Sequence, residues 1–150
     1  MLEKIGSIIK GTRAEGKALR ERFLSSLPTL RTLKERVERA SGKEYLKGLD
    51  GRKIYVRHRH ASLNTLLQGG GAIAMKKAMC ILNDYIKENK IDAKIVANIH
   101  DEWQIQVKES QSSKLGELGI KSIQQAGEYF NMRCPLDGEY KVGDNWSETH

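Results

Sequence analysis

Apolar positions along this chain follow two different rhythms. Between residues 62 and 90 they recur every three or four places, at Ala72, Met75, Met79, Leu82 and Ile86. That spacing marks one face of a long amphipathic helix. Between residues 95 and 107 the rhythm is two. Ile95, Ala97 and Ile99 alternate with Val96 and Asn98, and Trp103, Ile105 and Val107 alternate with Gln104 and Gln106. This predicts two strands folded back on each other.

The flanking segments extend the pattern. Residues 1–24 read as helix interrupted at Gly6, Gly11 and Gly16, each glycine costing a helix about 1 kcal/mol relative to alanine. A second helix is predicted from Pro28 to Ala40, with Leu30, Leu33, Val37 and Ala40 on one stripe. Pro28 suits a first turn, where its missing N–H is no loss, and Ser41-Gly42 closes the helix. Asp50-Gly51, between two β-prone runs of residues 45–57, predicts a tight hairpin. Residues 111–130 read as helix, with Leu115, Leu118, Ile123, Ala126 and Phe130 inward. A last strand is expected over Met132–Val142, where Pro135 fits an edge or a bulge. Gly69-Gly70-Gly71 should interrupt the long helix and mark a close backbone approach. A phosphate loop is disfavoured there, because the lysine-serine ending is missing. The resulting class is α+β: a small antiparallel sheet covered by helices on one face, with further helices at the N-terminus.

Composition narrows the partners. The 150 residues suffice for one domain with a real core. Apolar residues make up 39% and charged ones 30%, a soluble, globular balance. A net charge of +7 favours a polyanionic partner, nucleic acid before membrane. Arg52, Lys53, Arg57 and Arg59 concentrate that charge around the first hairpin, where a solvated edge strand guarded by charge is the plainer reading. Cys80 and Cys134 show no framework spacing, which argues for a reducing compartment. No apolar run approaches the ~20 residues needed to cross a bilayer, and "MLEKIGSIIKG" is too charged for a signal peptide. A cytoplasmic location, or a host cell's cytosol, is expected.

The second hairpin carries the unusual chemistry. Where its turn should fall stand His100, Asp101 and Glu102. Adjacent carboxylates repel, and tight turns prefer Asn-Gly or Asp-Gly. A divalent cation of the Mg²⁺ type, which takes oxygen ligands, would relieve the repulsion. Acidic residues also populate exposed turns with no function, so the motif alone leaves both readings open. The four histidines show no zinc spacing with the cysteines, and no nucleophile-elbow motif accompanies His100 and Asp101.

Four stretches in order, "GLDGRKIYVR", "HASLNTLLQGGGA", "VANIHDEWQIQV" and a terminal "GDNW…H", resemble the family A DNA polymerases, most closely those of podovirus-type phages. "EKIGSIIKG…GKALRERFL" resembles the segment that follows that family's nucleotide-gripping fingers helix. The resemblance covers essentially the whole chain. It implies that the hairpin 95–107 is the palm hairpin called motif C, with Asp101 binding the catalytic magnesium ions and Glu102 the accessory acid beside it. It further implies that His100 lies near the primer strand. Asn64 and Gln68, four apart and so on one helix face, would reach the minor groove of the primer–template, with His60 and Arg52 as further DNA contacts. Residues 1–43 would be the C-terminal part of the fingers and 44–150 the C-terminal part of the palm.

The same resemblance exposes gaps. Its motif A aspartate and motif B helix precede the matched region, and Asp50, Asp84, Asp92, Asp137 and Asp144 stand in no suitable context for the missing acid. The expectation is a polymerase part that is inactive alone and completed by a separate N-terminal chain carrying motifs A and B. Its partners would be primer–template DNA, and dNTP in the complete enzyme. A sheet edge left exposed would also offer pairing to a second copy. The alternatives are a non-catalytic basic DNA-binding module and a degenerate polymerase remnant.

Overall fold

The computed structural model describes residues 6–8, 10–43 and 45–149. The chain divides into two compact units. One runs to Leu46 and includes Tyr55–Asn64; the other includes Lys47–Ile54 and everything from Thr65.

In the first unit, helix α1 spans Arg13–Ser26 and helix α2 spans Pro28–Ala40. Thr12 caps α1 reciprocally: its hydroxyl accepts from the Glu15 backbone N–H, and the Glu15 carboxylate accepts from the Thr12 N–H at 2.6 Å. This capping box satisfies two donors that a helix start leaves orphaned. Gly16 does not interrupt α1 as expected; it is buried within it. The part of the expected first helix that falls on residues 1–5 and 9 lies outside the described residues. Pro28 opens α2 as predicted. Arg31 donates to Glu21 at 2.6 Å, linking the two helices.

Strands β1 (Tyr45–Lys47) and β2 (Lys53–Tyr55) form a two-stranded antiparallel sheet. Their turn differs from the two-residue form predicted. The Gly51 N–H donates to Gly48 O at 3.0 Å, and the Gly48 N–H donates to Arg52 O at 2.9 Å. Only Gly51 takes positive φ, at 84°. The loop is therefore Leu49-Asp50-Gly51, a turn closed by a glycine bulge.

Helix α3 runs unbroken over Ser62–Glu88. The glycine run does not interrupt it. In the second unit a Cβ added at Gly69 would fall 3.0 Å from Ile54 Cδ1, and one at Gly70 would lie 3.8 Å from Leu49 Cδ1. The close approach expected there is made by the neighbouring strand and its turn. The buried stripe of α3 is Ile73, Ala74, Ala78 and Leu82. Ala72, predicted inward, is exposed, because it borders an open groove lined by Arg52, Ile54, Gly69, Ile73 and Lys76.

Strands β3 (Ala93–Ile99) and β4 (Glu102–Val107) pair antiparallel. Trp103, Ile105 and Val107 point to one side and pack on a core of Leu82, Ile91 and Leu115, with Ile86, Ala93 and Leu118 around it. Helix α3 and helix α4 (Ser112–Tyr129) thus cover one face of this hairpin.

Beyond α4 the predicted strand is absent. Asn131 takes a left-handed φ of 51° and its N–H donates to Glu128 O, which stops the helix. The chain then returns along α4 as an irregular strap. Gly127 receives Leu136, Gly138 sits by Ile123, and Gly116 lies under the Tyr140 ring. Gln124 Nε2 donates to Asp137 Oδ1 at 3.1 Å. Glycines on the helix and side-chain contacts hold this segment, where a strand would need a ladder of backbone bonds. It ends in a short helix α5, Trp146–Thr149.

Candidate active site

The hairpin tip is built by two local irregularities. Ile99 pairs with Glu102, leaving His100 and Asp101 as a two-residue loop. His100 takes φ 54°, the positive value that tight hairpin turns require at their first central position. Glu102 therefore opens β4 and does not sit in the turn, as the pattern had suggested.

The second irregularity is a bulge. Ile95 faces Ile105, yet Ala97 faces Gln104, so Val96 is an extra residue with no partner across the ladder. It is 64% exposed. Directly opposed residues share a face of the sheet. Below the bulge Ala93 and Ile95 accompany Val107 and Ile105. Above it Asn98 accompanies Trp103, while Ala97 and Ile99 accompany Gln104 and Glu102. The simple alternation predicted for β3 thus reverses halfway. Bulges of this kind bend and twist a strand and re-aim its end.

The two carboxylates stand in different surroundings. Asp101 is exposed. Glu102 is half-buried, and its Oε1 accepts from the Gln104 side-chain amide and, at 3.1 Å, from the indole N–H of Trp146. Thr149 Oγ1 lies 3.3 Å from Gln104 Oε1 and donates to it. Short helix α5 therefore lies against the face of β4 that carries Glu102 and Gln104. Trp146 and Gln104 were assigned no role from sequence. The signal for Trp146 was the terminal "GDNW", and for Gln104 its outward place in the alternation.

Arg52 belongs to the second unit, and its guanidinium pairs with Asp50 at 2.6 Å instead of with the hairpin acids. The Arg52 hydrogen bond holds the Asp50 carboxyl below the usual aspartate range, and Asp50 raises the guanidinium in turn. Gln68 is exposed on α3 in the same unit. Asn64, also exposed on α3, and His60 belong to the first unit. His60 is exposed and stacks on His58 with ring centroids 5.6 Å apart. Among the described residues no three His, Cys, Asp or Glu side chains gather closely enough to hold a metal ion, and no helix is long and apolar enough to cross a membrane.

A profile described as DNA polymerase family A matches residues 3–148. The chain is 41% identical over 154 residues to a DNA-directed DNA polymerase of Escherichia phage Phieco32, covering 98% of this chain and 25% of that protein. The corresponding enzyme of Escherichia phage T7 is 32% identical over 173 residues, covering 99% of this chain and 24% of the relative. The chain thus spans about a quarter of the length of these curated relatives. Its fold is similar to that of the POL domain of Pol1 from M. smegmatis, solved in complex with DNA primer-template and dNTP. That match has a TM-score of 0.79 at 22% identity, over 99% of this chain and 28% of the other. On the profile match and the identity to the phage enzymes, this chain belongs to DNA polymerase family A.

Proposed function

We propose that the chain supplies the C-terminal part of a template-directed DNA polymerase, with the hairpin 95–107 as motif C and Asp101 as its metal-binding carboxylate. In family terms we assign residues 1–43 to the end of the fingers and 44–150 to the palm. The observation that carries this reading is the tip itself. A two-residue loop with His100 in positive φ presents an exposed Asp101 beside Glu102, in a chain whose family is DNA polymerase.

The donor set fits a hard divalent cation, because carboxylate oxygens are the ligands such ions take. It fits as part of a ligand set, since two adjacent acids are too few and no third metal-ligating side chain joins them among the described residues. Magnesium bound at Asp101 and Glu102 would supply Lewis-acid activation of a primer hydroxyl and neutralisation of triphosphate charge. The chain's own part is positioning. The rigid β-ribbon holds Asp101 at the apex, and the Glu102 carboxylate is fixed by Gln104 and Trp146.

A polymerase segment carrying motifs A and B supplies the remaining ligands and grips dNTP. Exposed Asn64 and Gln68 touch the minor groove of the primer–template, where polar amides can test base-pair shape. His100, His60 and Arg52 add contacts to the DNA. The solution is the cytosol of the cell in which that DNA is copied.

The test is complementation. Mixed with a segment carrying motifs A and B from a 41%-identical relative, the chain should extend a primer in the presence of Mg²⁺. Asp101→Ala should lower that rate by about 10²–10⁴, the size expected when several kcal/mol of metal stabilisation is lost. Undiminished extension by Asp101→Ala would remove the assigned role. Salt-sensitive DNA binding without any extension would instead favour a non-catalytic module.

A further inference from the structure

The C-terminal strap ends on the proposed catalytic hairpin, where it reaches the side chains of Glu102 and Gln104. The Trp146 indole N–H donates to Glu102 Oε1 at 3.1 Å, and the Gln104 side-chain amide donates to the same atom. Thr149 Oγ1 donates in turn to Gln104 Oε1 at 3.3 Å. Two routes therefore run from α5 to one carboxylate: a direct one through Trp146 and an indirect one through Thr149 and Gln104.

The tail is itself organised to reach that place. Glu148 closes the loop before α5, its carboxylate accepting from the Asp144 N–H at 2.9 Å and from the Asn145 side-chain amide at 2.5 Å. A Cβ on Gly143 would fall 2.7 Å from Glu148 Cβ, so only glycine lets this loop close so tightly. The sequence Gly143-Asp144-Asn145-Trp146 thus has a local geometric purpose, which is to turn the indole toward β4.

We infer that Trp146 is a positioning residue for the metal-binding hairpin: it acts through Glu102, setting the plane of that carboxylate beside Asp101, with Thr149 and Gln104 as a second support. This inference rests on the polymerase reading above for its catalytic consequence, though not for the hydrogen-bonded arrangement. A donor fixed on one oxygen of a carboxylate restricts rotation about the terminal side-chain bonds, which are otherwise broad. A carboxylate already oriented loses less freedom when a cation arrives.

The experiment has two arms. In the complemented polymerase, Trp146→Phe should raise the Mg²⁺ concentration for half-maximal extension about tenfold, the effect of one hydrogen bond to a charged group. Circular dichroism and the DNA dissociation constant should stay unchanged. In a Glu102→Gln background the same substitution should add nothing, as a double-mutant cycle requires of residues acting through one another. Thr149→Val, a milder change, should shift Mg²⁺ dependence in the same direction by less. In the second arm, Mn²⁺ added to the full chain alone should broaden the Trp146 indole N–H resonance, and Glu102→Gln with Asp101→Asn should abolish that broadening. An equal cost of Trp146→Phe in both backgrounds, or broadening indifferent to the two acids, overturns the inference. Absence of extension by the wild-type mixture counts against the proposed function instead, and a Mn²⁺ affinity of the full chain that Trp146→Phe leaves unchanged then overturns the positioning role by itself.

Discussion

The Tyr140 ring lies so close over Gly116 that a Cβ built on the glycine would fall 2.3 Å from Tyr140 Cδ2. Helix α4 thus carries a notch into which the returning strap is seated. Gly119, one turn on, has nothing within 4 Å of the same virtual atom. The two glycines pose the same question of helix propensity in opposite steric settings.

Their alanine variants should therefore diverge. Alanine gains about 1 kcal/mol over glycine inside a helix, and Gly119→Ala should realise most of it. At Gly116 an overpacking cost of roughly 1–3 kcal/mol acts against that gain. Gly116→Ala should be neutral to destabilising by about 2 kcal/mol, with Tyr140 displaced. Urea denaturation of both variants, with the Tyr140 ring resonances in NMR as the local reporter, measures the contrast.

Deleting Val96 should separate stability from function. Residues 93–95 and 97–99 already pair in two regular ladders, offset by that one residue. Removing it makes the pairing continuous and leaves the loop intact. The melting temperature should change by no more than about 3 °C, the shift of roughly 1 kcal/mol in a chain of this size. Extension in the complemented polymerase should fall at least tenfold, because the bend that aims Asp101 is gone. Extension at the wild-type rate would show that the bulge has no part in aiming the tip.

Asp50 should restrain DNA binding. Its carboxylate holds the Arg52 guanidinium at 2.6 Å, so the cation is partly neutralised where a phosphate would compete for it. Asp50→Asn should tighten binding to duplex DNA roughly two- to fivefold, as expected for one exposed ion pair. The slope of log affinity against log salt should steepen by up to about 0.9. Arg52→Gln should weaken binding uniformly across sequences.

The same pair sets a pH dependence. The folded chain depresses the Asp50 carboxyl through the Arg52 hydrogen bond, so the folded state binds fewer protons than the unfolded one in that range. The pair's stabilisation is complete above the ordinary aspartate value of about 3.9 and is lost as pH falls through the lowered folded value. Asp92, depressed by the Lys108 hydrogen bond, and Glu15, depressed by the Thr12 backbone N–H, act in the same sense. The urea midpoint of wild type should exceed that of Asp50→Asn at neutral pH, and the two should converge in acid.

Much of this fold was legible from periodicity. Alternation marked both strands of the 95–107 hairpin, and the three-four spacing marked α3 and α4. The bulge was not legible, since "IVANI" carries apolar residues on either parity and so hides an extra residue. The glycine run in α3 predicts a break because propensity is local, whereas the contact with Ile54 that occupies the space beside Gly69 is tertiary. Met132–Val142 has strand-like composition, but its support comes from residues as distant as Gly116. The capping box is legible as Thr12 followed three residues later by Glu15. At the site, adjacent acids in a turn drew attention to Asp101 and Glu102. Resemblance, and not spacing, singled out Asn64, Gln68, His60 and Arg52. Trp146 touches Glu102 from 44 residues away, a relation no local pattern carries.

The reversal at Val96 has a consequence for how substitutions along the ribbon should be interpreted. On β4, damage from a mutational scan should oscillate in phase with parity: odd positions 103, 105 and 107 reporting on folding, even positions 102 and 104 on chemistry. On β3 that phase slips by one halfway along. A scan that averaged over the ribbon, or assumed one phase for its whole length, would assign Ala97 and Ile99 to the wrong side of the ledger between holding the protein together and making it work.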